Sequence, residues 1–197
     1  MSPGARSSKG VVFIAMMGAL GNVLSFISIT VSPIVPSIPL GVMSFSLAID
    51  LSHITTFIAA LLGGSVVGGL TGLVGGLVAA YKFGFSQGNL LTGFALPIGK
   101  ALTGITAGLV VSVFRHLSKR ELVMVPATVI SYLPEALYTV FIFLVVLPMV
   151  YGSQVLLIVF TAQIIAKAFV EMVIMGLILA VLLGNRGFAE YVEGFFS

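Results

Sequence analysis

The chain has 197 residues, 59% of them hydrophobic and only 8% charged, against about 25% charged in a soluble domain. It cannot cover itself with a polar surface, so its solvent is lipid. Its continuous apolar runs argue against an outer-membrane barrel, the lack of cysteine excludes disulfides and thiolate chemistry, and a scattered net charge of +3 argues against nucleic acid.

A spanning helix needs about 20 apolar residues, which leaves room for roughly six helices. The expected fold is an all-α integral membrane protein with one domain, residues 1–197. The first ten residues are polar and basic, with Arg6 and Lys9. A signal peptide is an alternative reading of this start. No small-residue cleavage site follows at the usual distance, so the run over 11–30 is read as helix 1. It carries Ala15 and Ala19, with Gly18 and Gly21 beside them.

The segment 31–42 contains Pro33, Pro36 and Pro39 and favours extended backbone. It is too apolar for a solvated loop and is expected to lie on the protein as a lid. Helix 2 is expected over 44–62 and helix 3 over 64–81, joined by a very short connection at Gly63–Gly64. Gly64, Gly68, Gly72 and Gly76 recur every four residues, a stripe on which another helix can pack backbone to backbone. A polar loop over 82–92 precedes helix 4 over 93–114 and the charge cluster 115–121. Helix 5 is expected over 123–147, a turn over 148–153, and helix 6 over 154–183. The tail 184–197 is amphipathic.

Lys and Arg set the orientation. With six spans and both termini cytoplasmic, Arg6, Lys9, Arg115, Lys119, Arg120 and Arg186 lie inside and Lys82 outside. The Pro-rich segment, the 82–92 loop and the 148–153 turn then share the outer face. The two halves differ in glycine content and helix length, so no inverted repeat is seen.

Ionisable groups in membrane helices are costly and usually face a cavity. Here they are Asp50 and His53 in helix 2, Lys100 in helix 4, Glu135 in helix 5, and Lys167 with Glu171 in helix 6. Counted from the helix ends, Asp50, His53 and Lys100 lie in the outer half and the others near mid-depth, so one outward-facing pocket is consistent with all six. Each has a plainer reading. Lys167 and Glu171, four apart, either bind cargo or neutralise each other. Asp50 either orders the site or caps a helix. His53 is either a ligand contact or an interfacial histidine. Lys100 faces either a substrate carboxylate, phosphate or carbonyl, or Glu135. Glu135 follows Pro134, which releases a carbonyl one turn earlier, and this kinked polar place is the best site signal. Tyr81, Phe83, Phe85, Tyr132, Tyr138 and Phe141 offer surface for a flat ligand, or are core and lipid-facing.

No catalytic motif is found: there is no HExxH, no GxSxG with a plausible partner and no phosphate-binding loop. The expectation is a binding protein and not an enzyme, with no cofactor and no metal site.

The arrangement resembles the substrate-binding S component of an energy-coupling factor (ECF) transporter. The resemblance rests on about six spans in this length, the small-residue face of helix 1, the apolar lid, the opening Asp50-Leu51-Ser52 of helix 2 and the glycine-rich helix 3. Ala15-Met16-Met17-Gly18-Ala19 matches the Ala-x-x-x-Ala pattern by which such subunits dock on a coupling subunit. The run from Ile49 to Thr55, followed by Gly63-Gly64 and Gly68, is most similar to riboflavin-type S components. It departs from them where they often show a second aspartate and a proline, at His53 and Thr55, and where they often show Gly-Pro, at Gly64-Ser65. The resemblance implies a plasma-membrane protein that binds a vitamin, best riboflavin, from outside. It implies docking on a coupling subunit with two ATPases, then toppling in the membrane to release the cargo inside. It also implies binding residues in the lid, the 82–92 loop and helices 4–6, which selects Asn89, Lys100, Glu135, Tyr138, Gln163, Lys167 and Glu171, with Asp50 and His53 ordering the lid. The alternatives are another cargo in the same fold, such as another B vitamin or a pyrimidine or queuosine precursor, and a stand-alone ion-coupled carrier.

Overall fold

The structure, a computed structural model, describes residues 7–34, 37–40, 43–46, 49–114, 123–152, 156–188 and 190. Arg6, the charge cluster 115–121 and most of the tail beyond Arg186 lie outside the described residues. Helix α1 covers Ser8–Val31 and is capped by Ser7, whose side chain accepts from the Gly10 N–H. Strands β1 (Ser37–Leu40) and β2 (Met43–Ser46) pair antiparallel, Ser37 opposite Ser46 and Leu40 opposite Met43. Helix α2 covers His53–Gly75, α3 Leu77–Phe83, and a short 3-10 turn Phe85–Gln87 leads to α4, Leu90–Phe114. Helix α5 (Met124–Phe141) runs through a π-helical turn, Ile142–Val146, into α6 (Leu147–Tyr151), and α7 covers Leu156–Gly184. Among the described residues, five stretches are long and apolar enough to cross a bilayer: Ser8–Val31, His53–Gln87, Leu90–Phe114, Met124–Tyr151 and Leu157–Gly184. This is a multi-pass membrane protein, mostly helical, with one small β-hairpin among the described residues.

Two sequence boundaries move. Helix 2 was expected from residue 44, but Met43–Ser46 is strand and the helix starts at His53. The alternation Ser-Phe-Ser has the two-residue period of a strand. The turn expected over 148–153 is helical as far as Tyr151. Pro148 stands just after the π-helical turn, inside the same continuous run.

The stretch His53–Gln87 is not one straight rod. Gly64 has φ 75 and ψ −167, which no side chain adopts comfortably. A Cβ placed on Gly68 would lie 2.7 Å from Ala60 Cβ and 3.0 Å from Ala60 Cα. In an unbroken helix residues eight apart are separated by about 12 Å. The chain therefore reverses at Gly64, and arms 53–63 and 65–75 pack as an antiparallel hairpin. Gly64 makes the turn and so leaves the stripe in which the sequence placed it. Gly68, Gly72 and Gly76 keep their place: Cβ atoms there would run into Gly104 O, the Lys100 backbone and Pro97 of α4. The stripe is where α2 and α3 lie against α4, backbone to backbone. On the other side Gly18 and Gly21 of α1 admit Val74, Thr55 and Gly75.

Two apolar cores lie among the described residues, the first shared by α2, α4, α5 and α7 and the second by α4, the π-helical turn and α6. One joins Phe57, Ala60, Ala107, Met124, Tyr132, Ala136, Met172, Met175 and Leu179. The other joins Ala95, Ile142, Phe143 and Leu147. On α4 Lys100 lies between Ala95 of one core and Ala107 of the other, and on α5 Glu135 stands beside Ala136, where the first core ends.

Candidate functional site

Five elements meet at that level. The loop before α2 contributes Asp50 and Ser52, α2 contributes His53, α4 contributes Lys100 and Thr103, α5 contributes Glu135, and α7 contributes Lys167 and Glu171. A charged group at this depth must be bonded. Lys100, only 5% exposed, donates to Ser52 Oγ at 2.5 Å and to the Gly75 carbonyl at 3.2 Å. The Ser52 N–H donates to Asp50 Oδ1 at 2.9 Å, and the Asp50 N–H donates to Glu171 Oε1 at 2.8 Å. Lys167 Nζ stands 3.6 Å from the same Glu171 oxygen. Beside this chain, Thr103 Oγ1 donates to Glu135 Oε2 at 2.5 Å, and His53 Nε2 faces that oxygen at 3.4 Å. A carboxylate only accepts, so Nε2 is the ring nitrogen that bears hydrogen. His53 Nδ1 is buried without a hydrogen-bond partner among the described residues.

Asp50 precedes the first turn of α2, and its side chain makes an Asx turn onto Ser52. Burial pushes the Asp50 carboxyl up, but the Lys100 ammonium first, then His53 and Ser52, outweigh it and hold the group below the usual carboxylate value. The return of the chain from β2 is tied to α1, where Ser28 Oγ donates to Ile49 O at 3.0 Å.

The six ionisable residues singled out from sequence thus share one cluster. The other candidates make none of these bonds. Asn89 Oδ1 accepts from the Thr92 N–H at 3.0 Å and caps α4. Tyr138 packs on the second apolar core and near Gly99. Gln163 is half-buried one turn before Lys167 on α7. Of the aromatic residues, Tyr132 is 3% exposed and packs edge-on to Phe169 at 5.5 Å, while Tyr81, Phe83 and Phe141 are exposed on the apolar surface. Lys100 faced two expected partners, substrate or Glu135; its direct bonds go instead to Ser52 and a backbone carbonyl. Ser52 and Thr103 were not selected as site residues. Ser52 had a signal in its place two residues after Asp50, and Thr103 in its place one turn after Lys100. Ala15 and Ala19 are exposed on α1, while Gly18 and Gly21 face the hairpin.

No protein-family model and no curated protein matches this sequence. Among solved structures the chain is similar to the S component of a bacterial ECF transporter, with a TM-score of 0.58 and 20% sequence identity, over 93% of this chain and 96% of that one. At that identity the likeness is one of fold, and this chain has the fold of that S component.

Proposed function

We propose that the chain is the substrate-binding subunit of an ECF-type importer, taking up a vitamin from outside, with riboflavin as the cargo. It performs no chemistry of its own. In this reading the chain crosses the membrane six times, the arm 53–63 with the segment leading into it forming one pass and the arm 65–75 with α3 the next, and both termini are cytoplasmic. It works in the plasma membrane and docks through Ala15 and Ala19 on a coupling subunit that carries two ATPases.

The observation that supports it best is the polar cluster itself. Six ionisable side chains from well-separated segments converge beside two apolar cores, where each charge costs several kcal/mol unless it is paired or hydrogen-bonded. The pairing also bears on the cargo. Two of the three Lys100 N–H groups go to Ser52 and Gly75, and the carboxylates of Asp50, Glu135 and Glu171 outnumber the ammonium groups of Lys100 and Lys167, with Glu135 Oε1 and Glu171 Oε2 outside the hydrogen bonds and ion pairs described above. Such a site favours an uncharged ligand with N–H and O–H donors over an anion. Riboflavin fits, with an imide N–H, a hydroxylated chain and no ionised group at neutral pH. Asn89, Tyr138 and Gln163, on the outer side of the cluster, complete the proposed binding set.

The test is the absorbance spectrum of the purified protein, followed by titration with riboflavin. A co-purifying flavin band, or quenching of riboflavin fluorescence at micromolar concentrations, is expected. No quenching removes the riboflavin assignment. Uptake into vesicles driven by a pH gradient without any ATPase removes the S-component mechanism.

A further inference from the structure

Asn22 places a carboxamide in the body of α1, where lipid or protein must satisfy it. It is satisfied twice, and both bonds go to one gap in a neighbouring helix. Asn22 Nδ2 donates to Val74 O at 2.8 Å, and the Val78 N–H donates to Asn22 Oδ1 at 3.0 Å. In an uninterrupted α-helix the Val78 N–H would donate to Val74 O itself. The side chain of Asn22 therefore replaces one rung of the helical ladder. The gap it fills is the junction of α2 and α3, at Gly75–Gly76. Insertion of a side chain into the ladder is a recognised cause of such breaks.

The far side of the same junction faces α4. There the Gly75 carbonyl accepts from Lys100 Nζ at 3.2 Å. A carbonyl inside a regular helix points along the axis to the residue four further on. Lys100 approaches from the side, and a carbonyl released from that alignment can turn towards it. Pro97 of the same helix packs on Gly76, where a Cβ would lie 2.8 Å from Pro97 Cα. The ammonium group then reaches Ser52 Oγ, at the start of the hairpin. One line of contacts thus runs from α1 through the break to Lys100 and Ser52.

We propose that Asn22 is a positioning residue for the polar cluster: by holding the α2–α3 junction open it presents the Gly75 carbonyl to Lys100 and fixes the ammonium group there. The role in binding rests on the cargo-site reading above; the structural coupling of Asn22 to Lys100 does not.

Asn22→Leu and Lys100→Met, singly and together in the full chain, test both parts, with riboflavin as probe. Asn22→Leu is expected to weaken riboflavin binding about tenfold in the parent and to change nothing further in the Lys100→Met background, since residues of one network are non-additive. A side chain that merely stabilises α1 would lower the melting temperature and leave affinity alone. Equal affinity losses in both backgrounds, or none in either, overturn the proposal. If Asn22→Leu does not fold, Asn22→Gln, which keeps both polar groups one methylene further out, is expected to give a smaller loss in the same direction. If the parent does not bind riboflavin, the riboflavin assignment falls, and the ligand-free melting temperatures decide the coupling. Less-than-additive losses support it, and additive losses overturn it.

Discussion

The backbone N–H of Asp50 donates to Glu171 Oε1 at 2.8 Å, joining two residues 121 apart in sequence. This bond ties the entrance of the α2 hairpin to α7. Asp50 also receives the Ser52 N–H, so the start of α2 is held from within and from across the bundle. Removing the acceptor leaves a half-buried N–H bare, and a hydrogen bond to a charged group contributes about 1.5–3 kcal/mol. Glu171→Ala is expected to destabilise the protein by about 2 kcal/mol, and Glu171→Gln, which keeps an acceptor, by clearly less. Thermal unfolding in detergent measures both. Equal losses would mean that the carboxylate charge, and not the bond to Asp50, is what matters.

Gly68 has no room for a side chain. A Cβ there would stand 2.6 Å from Gly104 O and 2.7 Å from Ala60 Cβ. Overpacking of this kind costs about 1–3 kcal/mol, so Gly68→Ala is expected to lower the melting temperature. Gly184→Ala is the control, because a Cβ at Gly184 meets nothing within 4 Å. A harmless Gly68→Ala would disprove the close approach of α2 to α4.

Asp50 makes stability depend on pH in a definite direction. Its folded carboxyl is held below the ordinary value of about 3.9. The stabilisation is therefore fully present above that value and is lost as the pH falls through the folded value. Melting temperatures of the parent and of Asp50→Asn are expected to differ at neutral pH and to converge on acidification towards pH 3. A parent less stable than Asp50→Asn at neutral pH, with the difference closing on acidification, would show that the carboxyl is raised instead.

In the proposed function, docking is separable from binding. Ala15 and Ala19 are exposed while the neighbouring Gly18 is buried against the hairpin. Ala15→Trp and Ala19→Trp are expected to leave riboflavin affinity unchanged and to abolish co-purification with a coupling subunit and its ATPases. Complexes that survive both substitutions would move the docking surface elsewhere on the chain.

Sequence by itself determined the solvent, the helical class and the polar residues to watch. Hydropathy reads through to structure because lipid demands unbroken apolar helices. Asp50, His53, Lys100, Glu135, Lys167 and Glu171 stood out because ionised groups are rare at that depth. The adjacent Gly63 and Gly64 announced a short connection, and the structure turns there at Gly64. What tertiary structure decided is who meets whom. Asp50 reaches Glu171 only because the hairpin leans on α7. Lys100 bonds a Gly75 carbonyl that is free only because α2 breaks, and α2 breaks where Asn22 of another helix enters the ladder. Such partners leave no mark in local sequence, since a backbone carbonyl looks the same at every residue until packing removes its helical donor.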